Sequence, residues 1–354
     1  MSAALCRHFG RCGGCAFQDL PSDAYRATKQ GLVTEALARH GLGNVVVEAP
    51  RDVPPMTRRR AALKAARRNG AVHIGFHAER SHDIVDMQEC FVLTPALTHV
   101  LPALRQILAG LLREGEETEL RLTDTESGID IALATLSARP ALAVTAFARA
   151  AQEFRIARVT KGREIVTQLR TPTAAFDGIR VALPPDVFLQ PTRAGEGLLQ
   201  QLVLANLGKA RSVVDLFAGC GTFALPLARK LRVHAVDSDA RALAALQDAA
   251  RDTQKLKPVT VETRDLFRHP LQPRELDAFD MVLLDPPRAG ASAQMQQIAG
   301  SKVKRVVYVS CNPESFARDA RLLVAGGFAP GPVTPVDQFL WSSHIELVCV
   351  FRRL

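Results

Sequence analysis

Ser212-Val213-Val214-Asp215-Leu216-Phe217-Ala218-Gly219-Cys220-Gly221-Thr222 is the stretch whose reading decides the fold. A short apolar run breaks into a turn carrying two glycines, and a helix-like segment follows. Such a turn between strand and helix brings backbone N–H groups close to a nucleotide-like ligand at the carboxyl edge of a parallel sheet. It lacks the third glycine of the dinucleotide fingerprint, so alone it is weak evidence. From Arg211 onward, however, short apolar runs alternate with helical ones, as in a parallel sheet covered on both faces.

Three further acids follow apolar runs in the same half. Residues 233–236 lead into Asp237, where a carboxylate can accept from ribose hydroxyls. Residues 259–262 lead towards Asp265, where one can accept from an exocyclic amine, and residues 281–284 lead into Asp285-Pro286-Pro287-Arg288. A single Asp in such a place is commonly a helix N-cap. A series at successive strand ends points instead to an adenosyl ligand. The next run, 303–309, ends in Ser310-Cys311-Asn312-Pro313 ahead of a helix-like stretch at 314–325. A thiol where a strand hands over to a helix can be exposed, activated and held rigidly as a nucleophile, although most free cysteines are small core residues.

The N-terminus carries Cys6, Cys12 and Cys15 as C-x5-C-G-G-C, and Cys90 follows much later. Seven cysteines in a reducing compartment are not expected to form disulfides, so a cluster of them points to metal or catalysis. Gly13 and Gly14 let the backbone turn tightly enough for neighbouring thiolates to converge. Zinc sites also use C-x2-C knuckles but usually pair two of them, and the asymmetric spacing here favours an iron-sulfur centre.

Between these cysteines, residues 25–41 have apolar positions spaced as on one helical face. Residues 56–77 contain no acid and carry Arg58, Arg59, Arg60, Lys64, Arg67 and Arg68, alternating with apolar residues around an Asn69-Gly70 turn. A hairpin with a cationic outer face would hold phosphates by charge, the alternative being a sheet edge guarded by lysine and arginine. Residues 95–112 look helical, and 119–123, 129–136 and 142–147 read as strands of a small antiparallel middle region. The expected domains are 1–94, cysteine-bearing and basic; 95–185, antiparallel α+β; and 186–354, the α/β catalytic sheet. A formal charge of +9 and a pI of about 9.5 suit a polyanionic partner. Apolar stretches are broken short of the ~20 residues a bilayer needs, and the N-terminus shows no signal-peptide core. A cytoplasmic monomer with no membrane partner is expected.

Taken together, DLFAGCGTFALPLA, the VD pair, RDLF, DPPRAG, VSCNP and HIELV resemble the class I S-adenosylmethionine-dependent RNA uracil-C5 methyltransferases, which make 5-methyluridine. CRHFGRCGGC with Cys90, and Phe188-Leu189-Gln190-Pro191-Thr192, are similar to iron-sulfur members of that family lacking a separate N-terminal oligonucleotide-binding barrel. The resemblance covers nearly the whole chain and implies a Rossmann-like catalytic sheet, S-adenosylmethionine as methyl donor and a [4Fe-4S] cluster on Cys6, Cys12, Cys15 and Cys90. It implies RNA as substrate, ribosomal RNA first and transfer RNA second. It further implies Cys311 as nucleophile, Glu346 as general base, Asp285 and Gln190 as positioners of uracil and donor, and Asp215, Phe217, Gly219, Asp237 and Asp265 around the donor. Thr192 stands where the family usually has Asn, so that contact does not transfer.

The chemistry explains these residue types. Uracil C5 is a poor nucleophile until a thiolate adds at C6, and a carboxylate must later remove the C5 proton so that the thiol can leave. Cytosine enzymes of comparable type carry a second cysteine after the DPP-like motif, and amino-nitrogen methyltransferases place an aromatic there; this chain has Arg288. A base must leave its stack or lie in a loop to reach the thiol. The competing reading is an iron-sulfur RNA-binding protein without catalysis.

Overall fold

The computed structural model describes residues 4–354; residues 1–3, the first part of the terminus expected to carry no signal-peptide core, lie outside the described residues. A cysteine-bearing loop leads into helix α1 (Ser22–Arg39) and the short strand β1 (Arg51–Asp52). The basic stretch forms a hairpin of β2 (Arg60–Arg68) and β3 (Ala71–Gly75). Asn69 and Gly70 both have positive φ, the backbone that a two-residue hairpin turn needs. Helices α2 (Pro95–His99) and α3 (Leu101–Ala109) follow, the second with Pro102 in its first turn, where a missing N–H costs nothing. Next come β4 (Glu117–Thr125), β5 (Gly128–Leu133), helix α4 (Pro140–Ala151), β6 (Ile156–Lys161) and β7 (Glu164–Gln168).

These strands form one six-stranded sheet in the order β3-β2-β4-β5-β6-β7. Residues 142–147 are therefore helical rather than extended: Ala143, Phe147 and Ala151 recur every four residues and bury one face of α4. That helix lets β6 join β5 in parallel, so the sheet is mixed rather than purely antiparallel. The basic hairpin belongs to this sheet through β2 and β4, and the expected boundary at 94/95 cuts through it.

A small hairpin, β8 (Thr173–Phe176) and β9 (Ile179–Ala182), precedes helix α5 (Arg193–Ala205). The remaining elements are β10 (Ser212–Leu216), α6 (Ala224–Ala228), β11 (Arg232–Asp237), α7 (Ala240–Asp252), β12 (Val259–Thr263), α8 (Pro273–Leu276), β13 (Met281–Leu284), α9 (Ser292–Ala299), β14 (Arg305–Ser310), α10 (Pro313–Ala325), β15 (Phe328–Asp337) and β16 (Glu346–Arg353). The second sheet runs β1-β15-β16-β14-β13-β10-β11-β12. β10 to β14 pair in parallel, and β16 is antiparallel to β14 and β15. β10 and β13 are buried throughout, as strands covered on both faces must be. The chain moves from β10 outward to β12, then returns to place β13 on the other side of β10. Strand order thus reverses between β10 and β13, and the carboxyl ends of these strands are where an open α/β sheet binds ligands. No helix among the described residues is long and apolar enough to cross a membrane.

Candidate active site

The glycine turn after β10 is built by unusual backbone. Phe217, Gly219 and Gly221 all have positive φ, at 63°, 53° and 94°. A Cβ on Gly221 would stand 2.9 Å from Leu246 Cγ, so only glycine fits. Asp237, the last residue of β11, ties the turn down: its carboxylate accepts from Gly219 N at 2.9 Å and from Asp239 N at 2.8 Å. Asp265 follows β12 by two residues and accepts from Phe267 N at 3.0 Å. The Phe267 ring, half-exposed, lies 5.5 Å from that of Phe217. Phe267 closes the RDLF motif, but its place beside Phe217 was not expected from the sequence.

Asp215 lies inside β10, fully buried, with no partner for either carboxylate oxygen among the described residues. Burial, then the charges of Asp285 and Asp237, hold it well above the usual carboxylate range. Asp285, just past β13, is pushed up to about 7 by burial, opposed by Gln190, whose Nε2 donates to it at 2.8 Å. Buried carboxylates gathered at one edge, one of them unpartnered, fit a ligand bearing positive charge and N–H donors.

Cys311 follows β14 directly and is half-buried. The ladder between β14 and β16 ends with Ser310 opposite Leu347, which brings the following residue, Cys311, near Glu346, whose charge acts on the thiol. The thiol is pushed up to about 12, first by burial, then by the charges of Glu346 and Asp285, with Arg288 opposing. Glu346, itself buried, is held above the usual range by burial and by Asp285. Asn312 fixes the loop: its Oδ1 accepts from Glu314 N at 3.1 Å and caps α10, while its Nδ2 donates to the Arg288 carbonyl at 2.9 Å.

Gln338, unremarkable in the sequence, completes the constellation. Its Nε2 donates to Gln190 Oε1 at 2.7 Å, and its amide steadies the ionised form of Glu346. An amide chain therefore runs from Asp285 through Gln190 to Gln338. Thr192 has a definite local role, since its hydroxyl accepts from Gly195 N at 2.9 Å as the N-cap of α5.

The cysteines from the N-terminal loop and Cys90 line one cavity with apolar walls that include Phe76 and Leu93. Among the described residues no three His, Cys, Asp or Glu side chains converge closely enough to chelate a single ion. Burial raises the Cys12, Cys15 and Cys90 thiols, Cys15 to about 12, and nearby thiols add to each. Gly13 is needed for close approach, because a Cβ there would lie 3.0 Å from the His77 carbonyl. The cavity thus gathers four thiols from two distant segments of the chain. Cys220 and Cys349 are buried in the core.

The basic residues divide. Arg59 is buried, with Nη2 at 2.6 Å from Glu196 and Nε donating to the Gln190 carbonyl at 3.0 Å, so it braces the Gln190 loop and faces no solvent. This departs from a cationic outer face, because Arg59 points inward just before β2. Arg67 donates to the carbonyls of Ala109 and Leu112. Arg58 lies over the Phe339 ring and Arg60 over that of Phe188, at 5.7 and 5.0 Å. Lys64 and Arg68 stand near Glu119 and Glu117, at 3.6 and 3.4 Å, on the accessible side.

Sheet order, glycine turn and strand-end acids define a class I methyltransferase. A family model described as tRNA (Uracil-5-)-methyltransferase matches residues 179–353. A Rhizobium meliloti protein named as an uncharacterized RNA methyltransferase is 44% identical over 98% of this chain and 85% of its own length. The 23S rRNA (uracil(1939)-C(5))-methyltransferase RlmD of Pseudomonas entomophila is 33% identical over 99% of this chain and 80% of its own. In fold, the chain is similar to the Pyrococcus abyssi tRNA (uracil-54, C5)-methyltransferase in complex with S-adenosyl-L-homocysteine. That likeness has a TM-score of 0.75 and 22% identity, and it covers 96% of this chain and 84% of that one. The chain belongs to the RNA uracil-5-methyltransferase family and is an S-adenosylmethionine-dependent RNA methyltransferase.

Proposed function

We propose that this enzyme methylates C5 of a uridine in RNA through a covalent bond between Cys311 Sγ and C6 of the base. The observation that supports this most is the juxtaposition of Cys311 and Glu346 across β14 and β16, beside Asp285, at the edge where strand order reverses. S-adenosylmethionine supplies an electrophilic methyl on a positively charged sulfonium. In this reading Asp215, Phe217, Gly219, Asp237 and Asp265 line the donor, with Phe267 beside Phe217, while Asp285 and Gln190 orient the base.

Cys311 adds as the thiolate to C6, the charge delocalised over the ring makes C5 nucleophilic, and C5 bonds to the methyl as the methyl–sulfur bond breaks and leaves its electron pair on the donor as a neutral thioether. Glu346 then accepts the C5 proton. The C5–H electron pair becomes the C5–C6 double bond, and the C6–S bond breaks to return the thiolate. Glu346 must be ionised for this step, and positive charge beside Asp285 favours that form by opposing the repulsion that raises it.

The preferred substrate is 23S ribosomal RNA, supported by the 33% identical relative whose name carries that activity; transfer RNA is the alternative, supported by the description of the family model. Mapping 5-methyluridine in total RNA from a strain lacking this protein separates them, because loss is expected in 23S RNA and loss only in transfer RNA reverses the choice. Cys6, Cys12, Cys15 and Cys90 would hold a [4Fe-4S] cluster, which supplies the positive charge their thiolates lack and joins the N-terminal loop to the segment after β3. Anaerobically purified protein should contain stoichiometric iron and sulfide, and stoichiometric zinc without iron would overturn the cluster.

A further inference from the structure

Residues 338–345 connect β15 to β16, and both ends of this connection enter the site, Gln338 at one and Glu346 at the other. Its anchor lies outside the site. Lys29 of α1 is fully buried, which an ammonium tolerates only when every donor is paired. Its three donors have three acceptors: Asp337 Oδ1 at 2.7 Å, the His344 carbonyl at 2.6 Å and the Phe339 carbonyl at 3.1 Å. Phe339 and His344 are the two shoulders of the connection, so one ammonium closes its mouth.

Tyr25, one turn earlier on α1, donates to the other Asp337 oxygen and accepts from Trp341 N at 2.8 Å. Trp341 has φ of 57°, a backbone that a bulky residue adopts only when its surroundings hold it. Its carbonyl accepts from Ala16 N at 2.6 Å and Phe17 N at 3.0 Å, immediately after Cys15. The two sides of this network come from opposite ends of the chain, and the apolar packing of α1 alone requires none of its members.

We infer that Lys29, with Asp337 and Tyr25, is a positioning unit for Glu346. By pinching residues 339 and 344 together, it sets the position of Glu346 beside Cys311. The inference rests on the reading of Glu346 as the C5 base. It assigns Lys29 to the last step, in which the C5 proton passes to the Glu346 carboxylate, the C5–C6 double bond forms and the Cys311 thiolate departs. Thiolate addition and methyl transfer come earlier and do not use Glu346.

The double variant K29M/D337N removes both charges at nearly constant volume and leaves no lone buried ion. Three measurements test it: donor affinity, single-turnover adduct formation on 5-fluorouridine RNA, and steady-state methylation of undermodified RNA. On 5-fluorouridine the final step is blocked, because the C5 substituent does not leave as a proton. Expected are donor affinity and adduct formation within about threefold of the parent, kcat lower by about tenfold or more at little-changed KM, and methylated uridine RNA still attached to Cys311 in denaturing gels. Tyr25→Phe, which keeps the ion pair, should show the same split to a smaller degree, and it decides the matter if the double variant no longer binds donor. An unchanged kcat, or adduct and turnover falling in equal proportion, overturns the inference. A parent enzyme that forms no adduct at all overturns instead the reading of Cys311 on which it rests.

Discussion

Cys311 rests as a thiol. Burial and the neighbouring carboxylates push its pKa up to about 12, so thiolate is scarce near neutral pH and positive charge beside it favours its formation. Arg288 is the residue that already opposes the neighbouring carboxylates. Arg288→Ala should therefore raise the thiol further and slow alkylation of Cys311 by iodoacetamide at pH 9; an equal or faster rate would remove Arg288 from the electrostatic account. Changing Cys311 to Ala should abolish both the 5-fluorouridine adduct and methyl transfer. Glu346→Gln should still form the bond and pass the methyl, and then stall as a methylated RNA-protein adduct visible in denaturing gels. Normal turnover of that variant would dissolve the proposed pairing even with the fold intact.

At the scale of elements, Asn312 is one of the side chains that tie helix α10 to the loop after β13, with Arg318 and Asp319. Asn312 caps the helix and donates to the Arg288 carbonyl, so Asn312→Ala should cost about 1 kcal/mol of stability and also slow adduct formation. Melting curves together with single-turnover assays separate those two effects, and loss of neither would show the cap to be dispensable. Strand β2 offers a second test. Lys64 and Arg68 keep accessible positions, whereas Arg59 is committed to Glu196. If the two outward residues neutralise phosphates, Lys64→Ala with Arg68→Ala should weaken RNA binding and flatten its salt dependence, the slope falling by about 1 for each phosphate left without its cation. An unaltered slope would make them ordinary edge-strand charges.

For the whole molecule, the buried acids link the site to stability. Asp285 is raised from the usual 3.8 to about 7, so the folded state holds its proton more tightly than the unfolded chain. Its contribution is fully present below about pH 4 and is lost as pH rises through 7. Asp215 acts in the same direction. Asp285→Asn removes that loss, and its melting temperature relative to the parent should be higher at pH 8 than at pH 5 in donor-free protein. A difference independent of pH would mean that this carboxyl is not strained by burial. The effect is the counterpart of donor binding: charge stored at the sheet edge is relieved by a cationic ligand rather than by a residue of the chain.

Much of the catalytic sheet is legible in the sequence because its signals are local. Apolar runs, the strained glycine turn and an acid at or near the end of each of β10 to β13 are properties of neighbours in sequence, and they mark the strand ends whatever lies opposite. The α4 segment reads as a strand because a short apolar run suits either period, although Pro140 in the first turn is a helix signal. Arg59 looks like its neighbours because burial is invisible in a run of arginines. Gln338 and Lys29 carry no motif at all: Gln338 meets a partner 148 positions away, and Lys29 one 308 positions away. The sequence alone determined the fold class, the glycine turn and the thiol proposed as nucleophile. Only the tertiary structure decided that Cys311 comes near Glu346, where the antiparallel ladder of β14 and β16 ends, and that a buried lysine holds the connection between β15 and β16. Register and the pairing of buried charge are set by which strands become neighbours, a consequence of packing that no local pattern contains.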